Sequence, residues 1–359
     1  MSRSLLKTSF KTLLAAVGIL LLVVIAYVLY VLLSYSRIPD SQPLTAVGRA
    51  QHDTVKIGES YTVVAQNMGF GAYTPDFTFF MDGGTESRAA SAESVRDCFD
   101  KGLAQVGQFN PDFVLFQEID LDSTRSFHID QTKLVTDAFP AFQSVTAINY
   151  DSAYLMYPIF EPHGASKSSI VTLSRYAVTA STRRSFPISE SLSKLLDLDR
   201  CYSLSRIAVE NGKELVLYNV HASAYGSDAS VRTAQMTMLL NDMKSEYDKG
   251  NYVVCGGDFN HDFTGDSTKQ LNGATADFDW AQPFPTELIP NGISRCINYT
   301  APLAPTCRNC DIPYEDGNFT IIVDGFLVSD NVTCTALQNV QTDFAYSDHN
   351  PVVMTFTLQ

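Results

Sequence analysis

Three short polar stretches of the chain carry side chains able to bind a hard cation or to move a proton. In the first, Glu118 follows the apolar run Phe113-Val-Leu-Phe and Gln117. A carboxylate at such a strand end suits Mg²⁺, which accepts one or two protein carboxylates and keeps waters for phosphate oxygens. In the second, Tyr252-Val-Val-Cys runs into Gly256-Gly257-Asp258-Phe259-Asn260. Paired glycines let a backbone turn tightly or approach a ligand. The turn then offers the Asp258 carboxylate and, two positions on, the Asn260 amide, which both donates and accepts. In the third, Ser347-Asp348-His349-Asn350-Pro351 precedes the terminal run Val352-Val-Met-Thr-Phe. Asp348 offers a carboxylate to a cation, and His349 titrates near neutral pH. A histidine base works with a partner that fixes its tautomer, and Asp324, closing Phe319-Thr-Ile-Ile-Val, is a candidate. Taken singly, each stretch reads equally well as a polar strand end or an ordinary turn.

Such residues need a frame to bring them together. Apolar runs closed by polar residues recur elsewhere: Tyr61-Thr-Val-Val-Ala before Gln66-Asn67, Ser169-Ile-Val-Thr-Leu before Ser174-Arg175, and Leu215-Val-Leu-Tyr before Asn219-Val220-His221. Runs of four or five β-branched and aromatic residues predict buried strands, being too short for helices. Helices are predicted over 87–109, stopping before Asn110-Pro111, and over 230–249, with Gly250 as the stop. Met236, Leu239, Leu240 and Met243 recur at helical spacing in the second and read as core packing. Strands alternating with a few helices predict an α/β fold of two face-to-face sheets with helices outside. The polar strand ends would then gather along one edge.

The first 35 residues differ from the rest. Leu13 to Leu33 is free of charge, and its 21 residues exceed the roughly 20 that span a bilayer core as helix. Arg3, Lys7 and Lys11 precede the run with no acidic residue among them, which places the N-terminus in the cytoplasm and the remainder outside. The run is too long for a signal-peptide core and no small-x-small cleavage site follows, so an uncleaved anchor is expected. The expected division is an anchor over 1–35, a polar linker over 36–58 and one catalytic domain over 59–359. Beyond residue 58 there are 19 basic and 37 acidic side chains, a net charge of −18 within a whole-chain −14. That excess argues against a long nucleic-acid groove but not against a small phosphate ester held by a cation. Outside the cytoplasm, pairs among Cys296, Cys307, Cys310 and Cys334 are open. Cys307-Arg308-Asn309-Cys310 has zinc-knuckle spacing but lacks a matching second pair.

The ordered series Gln66-Asn67, Phe116-Gln117-Glu118, Thr172-Leu173-Ser174-Arg175, Asn219-Val220-His221, Gly257-Asp258-Phe259-Asn260, Val323-Asp324 and Ser347-Asp348-His349 resembles the endonuclease/exonuclease/phosphatase superfamily, with its deoxyribonuclease-I-like fold, over residues 60–359. The resemblance implies a four-layer α/β sandwich, two packed mostly antiparallel sheets with outer helices, and phosphate-ester hydrolysis assisted by Mg²⁺ or Mn²⁺. By the same resemblance Glu118 is the principal metal ligand, with Asn67 and Asp348 beside it. Asp258 and Asn260 position the attacking water and the scissile phosphate, and His221 donates to phosphate oxygens. His349 is the catalytic histidine and Asp324 its orienting partner. Two positions depart from the pattern: Gly69, where some family nucleases carry an acid, and Ser169, where a glycine is usual. Expected partners are the bilayer, through residues 13–33, and a phosphoester: a lipid headgroup, a nucleotide or a nucleic acid. The tether and the acidic surface favour a membrane-anchored phosphodiesterase or phosphatase acting on a small or lipid ester. An extracytoplasmic nuclease and an inactive binding protein on the same fold are the other readings. The aromatic and glycine-rich segment 69–84 reads either as a substrate-contact loop or as a packed structural one.

Overall fold

The computed structural model describes residues 3–191, 194, 199–224, 229–272, 280–315 and 317–359. The apolar N-terminal run forms a single helix, α1 (Arg3–Ser34), long and apolar enough to cross a membrane, with most of its Leu, Val and Ile side chains exposed and Val31 buried. There follow β1 (Gln42–Leu44), β2 (Val47–Gly48), β3 (Ser60–Asn67), α2 (Ala92–Gln108), β4 (Phe113–Asp120), α3 (Gln131–Ala138), β5 (Gln143–Asp151) and β6 (Lys167–Ser174). The second half contributes β7 (Val178–Ser185), β8 (Cys201–Ala208), β9 (Glu214–His221), α4 (Ala229–Asp248), β10 (Tyr252–Asp258), α5 (Ser267–Asn272) and β11 (Ile293–Arg295). Last come β12 (Cys307–Arg308), β13 (Thr320–Ile321), β14 (Asp324–Ser329), β15 (Val332–Asn339) and β16 (Val352–Leu358).

One sheet has the order β1-β7-β8-β9-β10-β14-β11 and the other β15-β16-β3-β4-β6-β5-β2. Among the described residues each large sheet has one parallel pair, β9 with β10 and β3 with β4, and is otherwise antiparallel. Alternate side chains of a strand go to opposite faces, and here both faces are covered. Tyr61, Val63, Phe113 and Leu115 pack between the sheets against Leu215, Leu217, Val254 and Phe326. On the outside, Val64, Val114 and Phe116 meet Val95, Phe99 and Leu103 of α2. Val216, Tyr218 and Val253 meet Met236, Leu239, Leu240 and Met243 of α4. The methionine stripe is therefore core packing, and double coverage explains why the central strands read as continuous apolar runs. The result is the four-layer α/β sandwich, helix on sheet on sheet on helix.

Two local expectations need adjustment. α2 starts at Ala92, later than the pattern suggests, because Ser91 caps it by accepting from the Ser94 amide at 3.0 Å. Residues 36–58, expected as a stalk, lie on the domain. β1 pairs with β7, β2 with β5, and Val55 is fully buried between the sheets. Short strands carrying Pro43 and Gly48 are what a sheet edge tolerates, so the proline and glycine that suggest a linker suit an edge equally. The seven cysteines are free.

Candidate active site

Pairing register brings the polar strand ends to one edge. Asp258 stands opposite His221 in the parallel β9–β10 pair and opposite Asp324 in the antiparallel β10–β14 pair. Gly257, with φ of +134°, permits this approach: a Cβ there would lie 2.3 Å from the Val220 carbonyl oxygen and 2.9 Å from Gln117 Nε2. In the other sheet Phe116 pairs with Val171 and Ile119 with Ser169, so Gln117 and Glu118 form a bulge against a single partner. A bulge re-aims a side chain. Gln117 turns between the sheets and donates to Asn219 Oδ1 at 2.7 Å, while Glu118, at φ +54°, is directed into the cleft. Ser169 completes the bulge by donating to the Ile119 carbonyl at 2.9 Å, a use for the hydroxyl where glycine was expected. Phe70 and Asn260 also have positive φ. Left-handed backbone at non-glycine residues costs on the order of 1 kcal/mol or more each, and such strain concentrates at functional sites.

Asp258 is the hub. Its Oδ2 accepts from Asn67 Nδ2 at 3.1 Å and lies 3.5 Å from His221 Nε2 and 3.9 Å from His349 Nε2. Its Oδ1 accepts from the Asn260 amide at 2.9 Å, and Asn260 Nδ2 donates to the Ala222 carbonyl at 2.9 Å. The same Asn67 nitrogen reaches Glu118 Oε1 at 3.4 Å, and Asn67 Oδ1 accepts from the Gly69 amide at 2.9 Å. That second bond fixes the amide's orientation. Asn67 thus presents nitrogen to the carboxylates and holds two of them in place, instead of offering oxygen to a cation. Asp348 approaches from the opposite side, 4.0 Å from His349 Nε2. A Cβ at Gly69 would stand 2.7 Å from Asp348 Oδ1 and 2.6 Å from the Tyr73 ring. The space an acid at 69 would need is filled by Asp348 and Tyr73.

His349 Nδ1 meets Asp324 Oδ2 at 2.7 Å, both groups buried. Burial opposes charge on the imidazole, but the Asp324 carboxylate, aided by Asp348, outweighs it and holds His349 well above its ordinary range. His221 is the contrast. Burial, then Arg200, His349 and Arg125, push it well below, so it stays neutral. Its Nδ1 lies 3.0 Å from the Asn149 amide and its Nε2 contacts the Arg200 guanidinium. Asn149 Oδ1 has no partner among the described protein groups, so turning that amide over gives His221 an Nδ1 proton to donate and leaves Nε2 to accept from Arg200.

The donor set fits a hard cation. Burial first, with neighbouring acids adding, pushes Asp258 and Asp348 each up to about 6, which marks a place where negative charge lacks compensation. Glu118, Asp258 and Asp348 line one pocket and offer carboxylate oxygens, which suit Mg²⁺ or Mn²⁺ better than zinc. Cys307 also lies beside Asp348 and His349, but burial pushes its thiol up to about 12, so it stays protonated and is a poor ligand. Among the described residues no second cysteine pair accompanies Cys307 and Cys310 to complete a zinc knuckle.

The carboxylates stand in a pocket of about 610 Å³. Phe70, Tyr73, Phe79 and Phe80 form one wall, so segment 69–84 both packs on α2 and faces the cavity. Arg125 lies 3.9 Å above the Phe70 ring, grips Asp120 at 2.9 and 3.1 Å, and reaches within 4.0 Å of Glu118. The structure brings Asn67, Glu118, His221, Asp258, Asn260, Asp324, Asp348 and His349 to one place. Sequence reasoning missed Asn149, Arg200, Arg125 and Tyr73. Arg200 had a faint signal: it immediately precedes β8, whose first residue Cys201 pairs with His221.

A family model described as the Endonuclease/Exonuclease/phosphatase family matches residues 90–349. Among solved structures, an endonuclease/exonuclease/phosphatase from Beutenbergia cavernae DSM 12333 superposes with a TM-score of 0.57 at 16% identity, covering 83% of this chain and 72% of that one. D. rerio TDP2, complexed with single strand DNA product, gives 0.53 at 14% identity over 83% and 99%. ANGEL2, a 2',3'-cyclic phosphatase, gives 0.51 at 12% identity over 89% and 98%. At these identities the likenesses establish the fold. Among curated proteins none matches.

Proposed function

The chain belongs to the endonuclease/exonuclease/phosphatase family, whose members are phosphoester hydrolases and generally metal-dependent, and on that premise we propose that it is a Mg²⁺- or Mn²⁺-assisted hydrolase of small or lipid phosphoesters, tethered outside a membrane by α1. The observation that carries the reading is the gathering of Asp258, Asp324 and Asp348 around buried His349, with Asn67 linking Asp258 to Glu118.

Glu118 and Asp348 would hold the cation, with Asn67 fixing Glu118 and Asp258. A bound cation would neutralise charge growing on the phosphate. Asp258 would align the attacking water, and its hydrogen bond to the Asn260 amide keeps the carboxylate from rotating. His349, held protonated by Asp324, would act as a cationic donor to the phosphate or the leaving oxygen. His221, neutral and with its one N–H taken by Asn149, would not donate to the phosphate as the resemblance implied; it would position Arg200, which also lines the cleft, by accepting from it at Nε2. Turnover of a panel of phospholipids, DNA, RNA and sugar phosphates with Mg²⁺ or Mn²⁺ tests the reading; no hydrolysis of any of them would refute it.

Cation binding should be coupled to protons. Asp258 and Asp348 at about 6 hold protons that the unfolded chain, with ordinary carboxylates, has released. On their account the metal-free fold loses stability as pH rises from about 4 to 6, and a cation relieves that loss. Mg²⁺ should therefore release protons on binding near pH 5.5, release almost none at pH 8, and bind more weakly below 6. Calorimetry in buffers of different ionisation enthalpy reads this directly. A proton count that stays flat from pH 5 to 8 would contradict the assignment.

Anchoring yields a separate expectation. With only residues 35–41 between α1 and the first paired strand, the proposed topology predicts that protease added outside sealed cells or right-side-out vesicles digests the domain while leaving α1 membrane-bound. Protection of the domain, or a mature N-terminus beyond residue 33, would overturn the topology.

A further inference from the structure

Outside α1 the described residues expose ten large apolar side chains, and five of them fall within seven residues: Tyr154, Met156, Tyr157, Ile159 and Phe160. Phe160 is fully exposed, Ile159 77% and Tyr157 68%. A run this concentrated on a soluble surface marks an interaction site. It belongs to the connection between β5 and β6, and its backbone is tied to α1. Tyr27 Oη accepts from the Met156 amide at 2.9 Å and donates to the Tyr154 carbonyl at 3.2 Å, while Tyr30 Oη accepts from the Tyr154 amide at 3.1 Å. At 1.5 Å per residue, Tyr27 and Tyr30 lie about 9 and 5 Å below Leu33 at the end of the apolar run. Tyrosines favour that depth, the interface between acyl chains and headgroups. Continuity with the span therefore selects a bilayer as the occupant of this surface.

The same segment lines the active-site pocket: Tyr27, Met156 and Tyr157 share one cavity with Phe70, Phe79 and Phe80 and with Glu118, Asp258 and His349, so α1, a set of aromatic rings and the carboxylates all face the same space. Aromatic rings of that kind suit acyl chains, whereas the net charge of −18 beyond residue 58 disfavours a polynucleotide along the surface around the pocket.

We propose that residues 154–160 are a second membrane contact, seated in the outer leaflet beside α1, and that the pocket receives the phosphoester of a phospholipid from that leaflet. The proposal rests on the hydrolase reading above and names its substrate class. The test uses the full chain in nanodiscs of phosphatidylcholine and phosphatidylglycerol. Ile159→Ser with Phe160→Ser, neither lining the pocket, should lower phospholipid turnover by roughly tenfold or more, since each buried apolar side chain carries about that factor. Turnover of a soluble aryl phosphodiester should be unchanged. Separately, Phe160→Trp should add fluorescence that acyl-brominated lipid quenches. Equal effects on both substrates, an absence of quenching, or hydrolysis of oligonucleotides without any phospholipid turnover would each overturn the proposal. Failure of the parent on every ester would strike the hydrolase reading instead, and quenching would still report the membrane contact.

Discussion

Glu118→Gln should lower kcat/KM on a phosphodiester by on the order of 10²–10³ or more, the scale of losing one preorganised charge-stabilising group. The substitution keeps size and shape, and the oxygen of the new amide would still accept from Asn67, so the bulge and the fold should persist. Its effect is to remove a negative oxygen from the place where a cation would sit. Calorimetric Mg²⁺ affinity should fall together with turnover, and a large excess of metal should rescue part of the rate. A variant that binds Mg²⁺ as the parent does, yet is inactive, would move the ligand role elsewhere. Parent-like activity would remove Glu118 from the site altogether.

The second large effect concerns His349 and Asp324. The 2.7 Å contact is buried on both sides, and no other described carboxylate is hydrogen-bonded to the imidazole. Asp324 is itself fixed, its amide donating to Thr306 Oγ1 at 3.1 Å. If Asp324 orients and charges the imidazole, Asp324→Ala and His349→Ala should each cost about 10³–10⁴ in kcat. The double variant should then be little worse than the poorer single, because residues acting as a unit are strongly non-additive. Losses that multiply, in variants whose circular dichroism is native, would reduce Asp324 to a strand-end carboxylate. Asp324→Asn adds a pH readout. Without the carboxylate that raises it, His349 should lose its proton at lower pH, and the alkaline limb of the rate profile should move down. A limb that stays in place would deny that His349 acts in its charged form.

How much of this was legible in the sequence follows from which interactions are local. Gly257-Asp258 announces itself because an apolar run stops at a charge, and a doubly covered strand makes that run continuous; Asp324, expected to close such a strand, instead opens β14, and the apolar run before it holds only the short β13. β8 escaped notice because Ser203, Ser205 and Arg206 interrupt it. Their polar groups are satisfied laterally, Ser205 by Ser181 at 3.1 Å and Arg206 by Glu214 and Glu246, and no pattern within β8 reveals those partners. Arg200 and Asn149 were missed for the same reason, since each acts through His221 on a neighbouring or facing strand. The opposite error befell residues 36–58, where polarity suggested a free linker. Edge strands as short as β1 and β2, with Pro43 and Gly48 in them, read the same way, and only their pairing with β7 and β5 distinguishes the cases. Gly69 marks a third limit: a side chain absent from the turn after β3 is compensated in space by Asp348 from a loop some 280 residues away, which local spacing cannot reveal.

The central claim is that one cluster of strand-end carboxylates makes this chain a metal-assisted phosphoester hydrolase. Its most direct test is hydrolysis of a generic aryl phosphodiester by the purified full chain, stripped with chelator and then titrated with Mg²⁺ or Mn²⁺. The account predicts no turnover in chelator, saturable recovery with either ion, and no recovery at the same concentrations in Glu118→Gln. Turnover that survives chelation, or is equal in parent and Glu118→Gln, would contradict it.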